Sequence, residues 1–137
     1  MPEKETIERA RRDKREGKSG STQAGEFVRE EMHHIREGKH GAQSTKQAIA
    51  IGLSKARRAG VRMKAPGRGT SASTKRKAAS DARAGRHPHK PSRTRSRATT
   101  RALKREGSGA ASKTALARQA RSASRKRGAG ARSASAA

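Results

Sequence analysis

The sequence predicts a small all-α module of two or three short helices, residues 1–63, followed by a long disordered basic tail, residues 64–137. The first observation behind this prediction is that large apolar residues recur at helical three- and four-residue spacing only before residue 64. The second is that the tail has only Leu103 and Leu116 as large apolar residues, too few to build a core.

The third observation is the uneven distribution of charge. The 137-residue chain carries a formal net charge of +25. Residues 1–60 hold 14 Lys and Arg against 9 acids, whereas residues 61–137 hold 22 against Asp81 and Glu106 alone. An asymmetry of this size is typical of a basic tail that binds a polyanion.

The first predicted helix, residues 3–16, is supported by charge pairing more than by burial. Glu5 precedes Arg9 by four residues, the order that stabilises a helix by a few tenths of a kcal/mol. Ile7 is the only large apolar residue in this segment. We therefore expect a marginal helix unless Ile7 docks on a neighbour, with a break at Gly17.

The second predicted helix, residues 21–37, has a more complete pattern. Ser21 or Thr22 can cap its start, and Gly38 is a plausible stop. One stripe at helical spacing holds its apolar residues, which are Ala24, Phe27, Val28, Met32 and Ile35. We expect this stripe to face the core.

The third predicted helix, residues 44–59, has both a start and a stop signal. Ser44 followed three residues later by Gln47 fits a capping box, and Gly60 stands where a C-terminal glycine belongs. The residues that share its apolar face are Ile49, Leu53 and Ala56. Gly52 weakens the helix interior, and we expect it to let a neighbouring backbone approach closely.

The second and third helices should pack as an antiparallel hairpin. A unit this small usually needs oligomerisation or another support to be stable. The module is therefore a candidate for self-association or for folding on a protein partner.

The tail is of low complexity, consisting mainly of Ala, Ser, Thr, Gly, Lys and Arg with three prolines in its first half. Residues 112–126 are rich in alanine, and we expect them to become helical only when phosphates cancel their self-repulsion. The tail's basic clusters predict binding to a nucleic-acid backbone through Coulomb attraction and counterion release.

A duplex is favoured over a single strand, because single-strand readers stack bases on aromatic rings and this chain has only Phe27. No helix has the pattern of a base-reading recognition helix, so we expect binding without sequence specificity, to DNA first and RNA second. The residues expected to contact nucleic acid are Lys55, Arg57, Arg58, Arg62, Lys64, Arg68, Lys75, Arg76, Lys77, Arg93, Arg95, Arg97, Arg101, Lys104, Arg105, Arg125, Lys126 and Arg127.

Other functional classes have less support in the sequence. No cofactor is expected. No catalytic set is expected either, because no large core can position a triad. No physiological metal site is expected, because adjacent His33 and His34 point about 100° apart on a helix. The longest apolar run, residues 48–51, is too short for a membrane span, and the first residues do not form a secretory signal. We expect an intracellular, soluble, non-enzymatic protein. The alternatives are an RNA- or ribosome-associated basic protein and a hydrophilic stress protein.

Residues 21–61, and most distinctively "KQAIAIGLSKARRAG" at residues 46–60, resemble a family of small bacterial proteins that carry a domain of unknown function. Members are often labelled DNA-binding or plasmid-stabilisation proteins. Gly20 and Gln43 depart from the family pattern, where Pro and Arg are expected. The tail is similar in composition to histone H1-like proteins. The resemblance implies association with DNA in the bacterial cytoplasm, at the nucleoid.

Overall fold

The structure, a computed structural model, is all-helical. It describes residues 2–64, 66, 70–87, 90 and 92–136, with side chains through residue 126. Within these residues there are six α-helices, a short 3-10 turn at Gly109–Ala111 and no strand. The helices are α1 (Lys4–Arg15), α2 (Gly20–Arg36), α3 (Thr45–Arg58), α4 (Ala72–Arg86), α5 (Arg93–Lys104) and α6 (Lys113–Ala136), the last kinked at Gly128.

The three predicted helices are confirmed, with bounds that differ by one residue at each end. Gly38 ends α2 with a φ of +77°, a left-handed conformation that glycine adopts without strain. Its N–H donates to the Ile35 carbonyl at 3.2 Å, and the N–H of Lys39 donates to the His34 carbonyl at 2.9 Å. This pattern of bonds closes the helix because it satisfies its last carbonyl groups.

The caps follow the predicted chemistry with one correction. Ser44 Oγ caps α3 as predicted, accepting from the Gln47 N–H at 3.1 Å. The α2 cap, however, is Ser19, whose Oγ accepts from the Thr22 N–H at 3.2 Å. Ser21 lies inside the helix, because α2 begins at Gly20.

Two apolar clusters form the core. The first joins α1, α2 and α3 and contains the buried residues Ala10, Ala24, Phe27 and Ala56, with Ile7, Leu53, Val61 and Met63 packed against them. The second lies at the other end of the hairpin and contains Met32, Ile35, Ala42, Ala48, Ala110 and Ala111, with Val28, Ile49 and Leu116 at its edge. Ile7 therefore does dock, which explains why α1 is part of the fold.

The crossing of α2 and α3 depends on Gly52. A Cβ at this position would lie 2.7 Å from Val28 Cα and 2.9 Å from Val28 Cγ2. The expectation that Gly52 lets a neighbouring backbone approach is thus confirmed, and the two helices pack closely because this position has no side chain.

The region after residue 64 differs from the sequence expectation of a tail without packed structure. Helix α4 packs on α3 and buries Ala78 and Asp81. A Cβ at Gly85 would overlap the Arg57 carbonyl oxygen, so the C-terminal ends of the two helices are in direct backbone contact. The packing face consists of small and polar residues, which hydrophobic periodicity cannot detect.

The 3-10 turn also packs against the N-terminal helices. Thr45 Oγ1 donates to the Ala110 carbonyl at 2.6 Å, and Arg36 Nε donates to the Ala111 carbonyl at 3.0 Å. By contrast, α5 buries none of its residues and packs on no other helix within the described parts of the chain. None of the described helices is long and apolar enough to cross a membrane.

Candidate nucleic-acid interface

Helix α4 has two opposite faces, one for packing and one for cations. At about 100° of rotation per residue, its packing face spans about 100°. The residues of that face are Lys77, Ala78, Asp81 and Gly85. The opposite face, also about 100° wide, carries four exposed cations. These are Lys75, Arg76, Arg83 and Arg86.

Asp81 anchors the packing face to α3. Asp81 is 1% exposed, and its carboxylate accepts hydrogen bonds from Lys77 Nζ at 2.6 Å, Ser54 Oγ at 2.7 Å and Arg58 Nε at 2.8 Å. Burial alone would raise the pKa of Asp81, but these three hydrogen bonds outweigh it and hold the pKa below its ordinary value. The carboxylate is therefore ionised at neutral pH, and its charge is directed inward.

Helix α5 carries an exposed basic stripe. Its 12 residues include five cations and no acid. At about 100° per residue, four of these cations fall within an arc of about 80°, while Arg95 lies on the opposite side. The four are Arg93, Arg97, Arg101 and Lys104, and all are exposed.

Helix α6 repeats the arrangement. Leu116 packs against the second apolar cluster. Arg118, Arg121 and Arg125 share an arc of about 60° that points away from Leu116, and all three are exposed. In α4 and α6, these groups of exposed cations thus occupy the side that faces away from the packing contact.

Three of the residues predicted to contact nucleic acid are engaged in ion pairs within the fold. Lys55 pairs with the buried Glu31, and Arg58 and Lys77 both pair with Asp81. The side chain of Lys55 is only 26% exposed, whereas those of Arg58 and Lys77 are 47% and 60% exposed. Lys55 therefore stabilises the helix hairpin, while the other two cations can still reach a ligand at their exposed edges.

Most other predicted contact residues lie at the surface without an acidic partner in the described part of the chain. They are Arg57, Arg62, Lys64, Lys75, Arg76, Arg93, Arg95, Arg97, Arg101, Lys104, Arg105, Arg125 and Lys126. All of them are exposed except Arg57, which is half-buried. Arg68 and the side chain of Arg127 lie outside the described residues.

Sequence reasoning missed four cations that complete these faces, namely Arg83, Arg86, Arg118 and Arg121. They were missed because they stand singly in the sequence rather than in a cluster. Their three- and four-residue spacing would have identified them once α4 and α6 were treated as helices.

Comparisons with protein-family models, curated proteins and solved structures find no match for this chain. The resemblance of residues 21–61 to small bacterial DNA-associated proteins therefore stays a prediction.

Proposed function

We propose that this protein binds duplex nucleic acid, DNA in the first place, through its phosphate backbone and without reading base sequence. The supporting observation is the combination of exposed basic faces on α4, α5 and α6 with an almost complete lack of competing acids. Of the two acids after residue 60, Asp81 is buried and neutralised by its neighbours, and Glu106 is half-buried. The surface of this half of the chain is thus strongly cationic.

The spacing of the α5 stripe is suited to a phosphate backbone. A 12-residue helix is about 18 Å long. Duplex DNA carries about 11 phosphates over that length, so the four cations of the stripe neutralise about a third of them. A single α5 helix does not saturate the duplex, and the faces of α4 and α6, or further copies of the protein, can act beside it.

Phosphate binding also provides a reason for α5 to form. Arg97 has Arg93 and Arg101 at four-residue spacing on either side, and each like-charge pair weakens an isolated helix by about 0.2–0.5 kcal/mol. Because α5 buries no residue, packing does not offset this cost. We infer that α5 before Leu103, whose carbonyl accepts from the Gly41 N–H, is disordered in the free protein and becomes helical when phosphates neutralise the stripe.

A chain of this kind would act as a nucleoid-associated, histone-like protein rather than as an enzyme. The helices α1 to α3 would hold α4 in place and supply contacts for self-association or for a protein partner. The cationic helices would supply the affinity, which counterion release makes steeply salt-dependent.

Binding assays on the full-length protein test this proposal. Fluorescence anisotropy should compare a labelled DNA duplex, a duplex of scrambled sequence, the corresponding RNA duplex and the single strand. We expect equal affinity for the two DNA duplexes and weaker affinity for the single strand. A strong preference for one duplex sequence, or for the single strand, would contradict the proposal.

Far-UV circular dichroism on the same samples tests the ordering of the basic helices. The helical signal should increase when the duplex is added. It should not increase when a chloride salt is added instead to the same ionic strength. Preferential binding to the RNA duplex would move the function to the RNA-associated class.

A further inference from the structure

The end of α2 and the loop after it bring together three side chains that can bind a metal ion. Glu31 and His34 are three residues apart on α2, and His40 follows the turn at Gly38. One donor atom from each of the three lies within 4.8 Å of the other two. The sequence directed attention to His33 and His34, but the fold instead pairs His34 with His40, whose ring centroids are 6.0 Å apart.

Two atoms in this cluster are buried without a hydrogen bond. Glu31 is fully buried, and its Oε1 pairs with Lys55 while Oε2 accepts no hydrogen bond. His40 Nε2 lies 3.0 Å from that Oε2, yet it also lacks a hydrogen bond of suitable geometry. A buried carboxylate oxygen left without a partner costs about 1–3 kcal/mol, so a ligand at this point has a physical reason to bind.

The remaining ring nitrogens have the partners that metal-binding histidines usually have. His40 Nδ1 is 3.0 Å from the Gly41 carbonyl, and His34 Nε2 is 3.1 Å from Glu3 Oε1. A metal-bound histidine normally donates its other N–H to a carbonyl or a carboxylate, which fixes the tautomer and the ring orientation. If these two nitrogens carry the protons, the lone pair of His40 is on Nε2 and that of His34 is on Nδ1.

We propose that Glu31 Oε2, His34 and His40 form a binding site for a divalent transition metal, Zn²⁺ in particular. Two imidazoles and one carboxylate are ligands that Zn²⁺ prefers, with a fourth position left for water. Lys55 remains on Oε1 and balances part of the charge of the carboxylate. The ion would join α2 to the loop whose Gly41 N–H donates to the Leu103 carbonyl at 2.7 Å, so it would also support the attachment of the tail.

Another set of donors shares His34 and must be distinguished from this one. Glu3, Glu30 and His34 also bring donor atoms within 4.8 Å of one another. Glu30 Oε1 already accepts the backbone N–H of Glu3 at 2.6 Å, and the Glu3 side chain is half-exposed. The proposed set is the better match to Zn²⁺ because it has two imidazoles in place of one.

Co²⁺ is the probe for the test, because its visible absorption reports the number and geometry of its ligands. Full-length protein carrying His87→Gln and His89→Gln serves as the background, which removes the two histidines of the tail. We expect one equivalent of Co²⁺ to bind with the intense bands of a four- or five-coordinate site, and Zn²⁺ to displace it. Hydrogen exchange at the Gly41 amide should slow when the metal is added.

Substitutions then assign the ligands. His34→Gln and His40→Gln should each weaken Co²⁺ binding by more than the about 10–100-fold that loss of an outer hydrogen-bond partner typically costs. His33→Gln, an exposed neighbour on the same helix, is the matched control and should bind as the background does. Because neither histidine is fully buried, these variants should keep the circular dichroism of the parent. Binding that survives His40→Gln but is lost in Glu30→Gln would overturn the proposal, as would only the weak bands of an octahedral ion.

Discussion

Replacement of Asp81 by Asn should release α4 from α3 without changing the shape of the contact. The buried bond from Ser54 to the carboxylate contributes about 1.5–3 kcal/mol, as hydrogen bonds to charged groups do. The pairs with Arg58 and Lys77 are half-exposed and contribute at most about 1 kcal/mol each. Since the Asn oxygen can still accept one bond, we expect a net loss of about 2 kcal/mol for Asp81→Asn.

This loss should be measured by hydrogen exchange of the α4 amides in the full-length protein. A loss of about 2 kcal/mol corresponds to exchange about 30-fold faster in α4 if opening is at equilibrium. Glu106→Gln is the matched control, because it removes the same charge from the same half of the chain, and Glu106 makes no ion pair among the described residues. Equal acceleration in the two variants would refute the role assigned to Asp81.

The pH dependence of the same contact has a definite sign. Because the folded-state pKa of Asp81 is lowered, its contribution is complete above the unfolded-state pKa of about 3.9 and is lost as the pH falls through the lower folded-state value. The difference between wild type and Asp81→Asn should therefore be largest at neutral pH and shrink in acid. A difference that grows on acidification would contradict the assignment.

Four further substitutions, one of them a control, test the packing of the module and of α4. Gly52→Ala should destabilise the protein by about 1–3 kcal/mol in urea denaturation, because the new Cβ would press on Val28. Gly25→Ala is the control: a Cβ there would have nothing within 4 Å, so this substitution should stabilise α2 by up to about 1 kcal/mol. Phe27→Ala should cost about 3–5 kcal/mol, because Phe27 is 1% exposed at the centre of the first cluster, and no loss in thermal unfolding would show that this core is misassigned. Gly85→Val should separate α4 from α3, since its side chain would overlap the Arg57 carbonyl, and unchanged α4 hydrogen exchange would exclude the close contact.

The first three helices were predictable because their signals are local. Ser44, Gly38 and Gly60 act within a few residues of the helix ends that they set, and the apolar stripes of α2 and α3 repeat along the chain. Even the close approach at Gly52 follows from one glycine in an otherwise apolar helix. Such features depend on short-range geometry, which the sequence contains directly.

The packing of α4 and the histidine cluster were not predictable in the same way. Helix α4 contacts α3 through Ala78, Asp81 and Gly85. A search for apolar periodicity predicts that such small and polar residues face solvent. The charge of Asp81 gives no indication in the sequence that its partners are Ser54 and Arg58, more than twenty residues away. His34 and His40 meet only because the chain turns between them, and periodicity along one helix cannot reveal that contact.

The salt dependence of DNA binding tests the central proposal most directly. Removal of the α5 stripe by the quadruple substitution Arg93→Gln, Arg97→Gln, Arg101→Gln and Lys104→Gln should reduce the slope of log K against log salt by up to about 3.6, since each phosphate contact contributes about 0.9. The matched control replaces four exposed arginines of the N-terminal helices, Arg11, Arg12, Arg15 and Arg29, and changes the net charge equally. We predict a much smaller change of slope for this control. Equal slopes in the two variants would contradict the account, because net charge alone, and not the basic faces of the tail helices, would then determine binding.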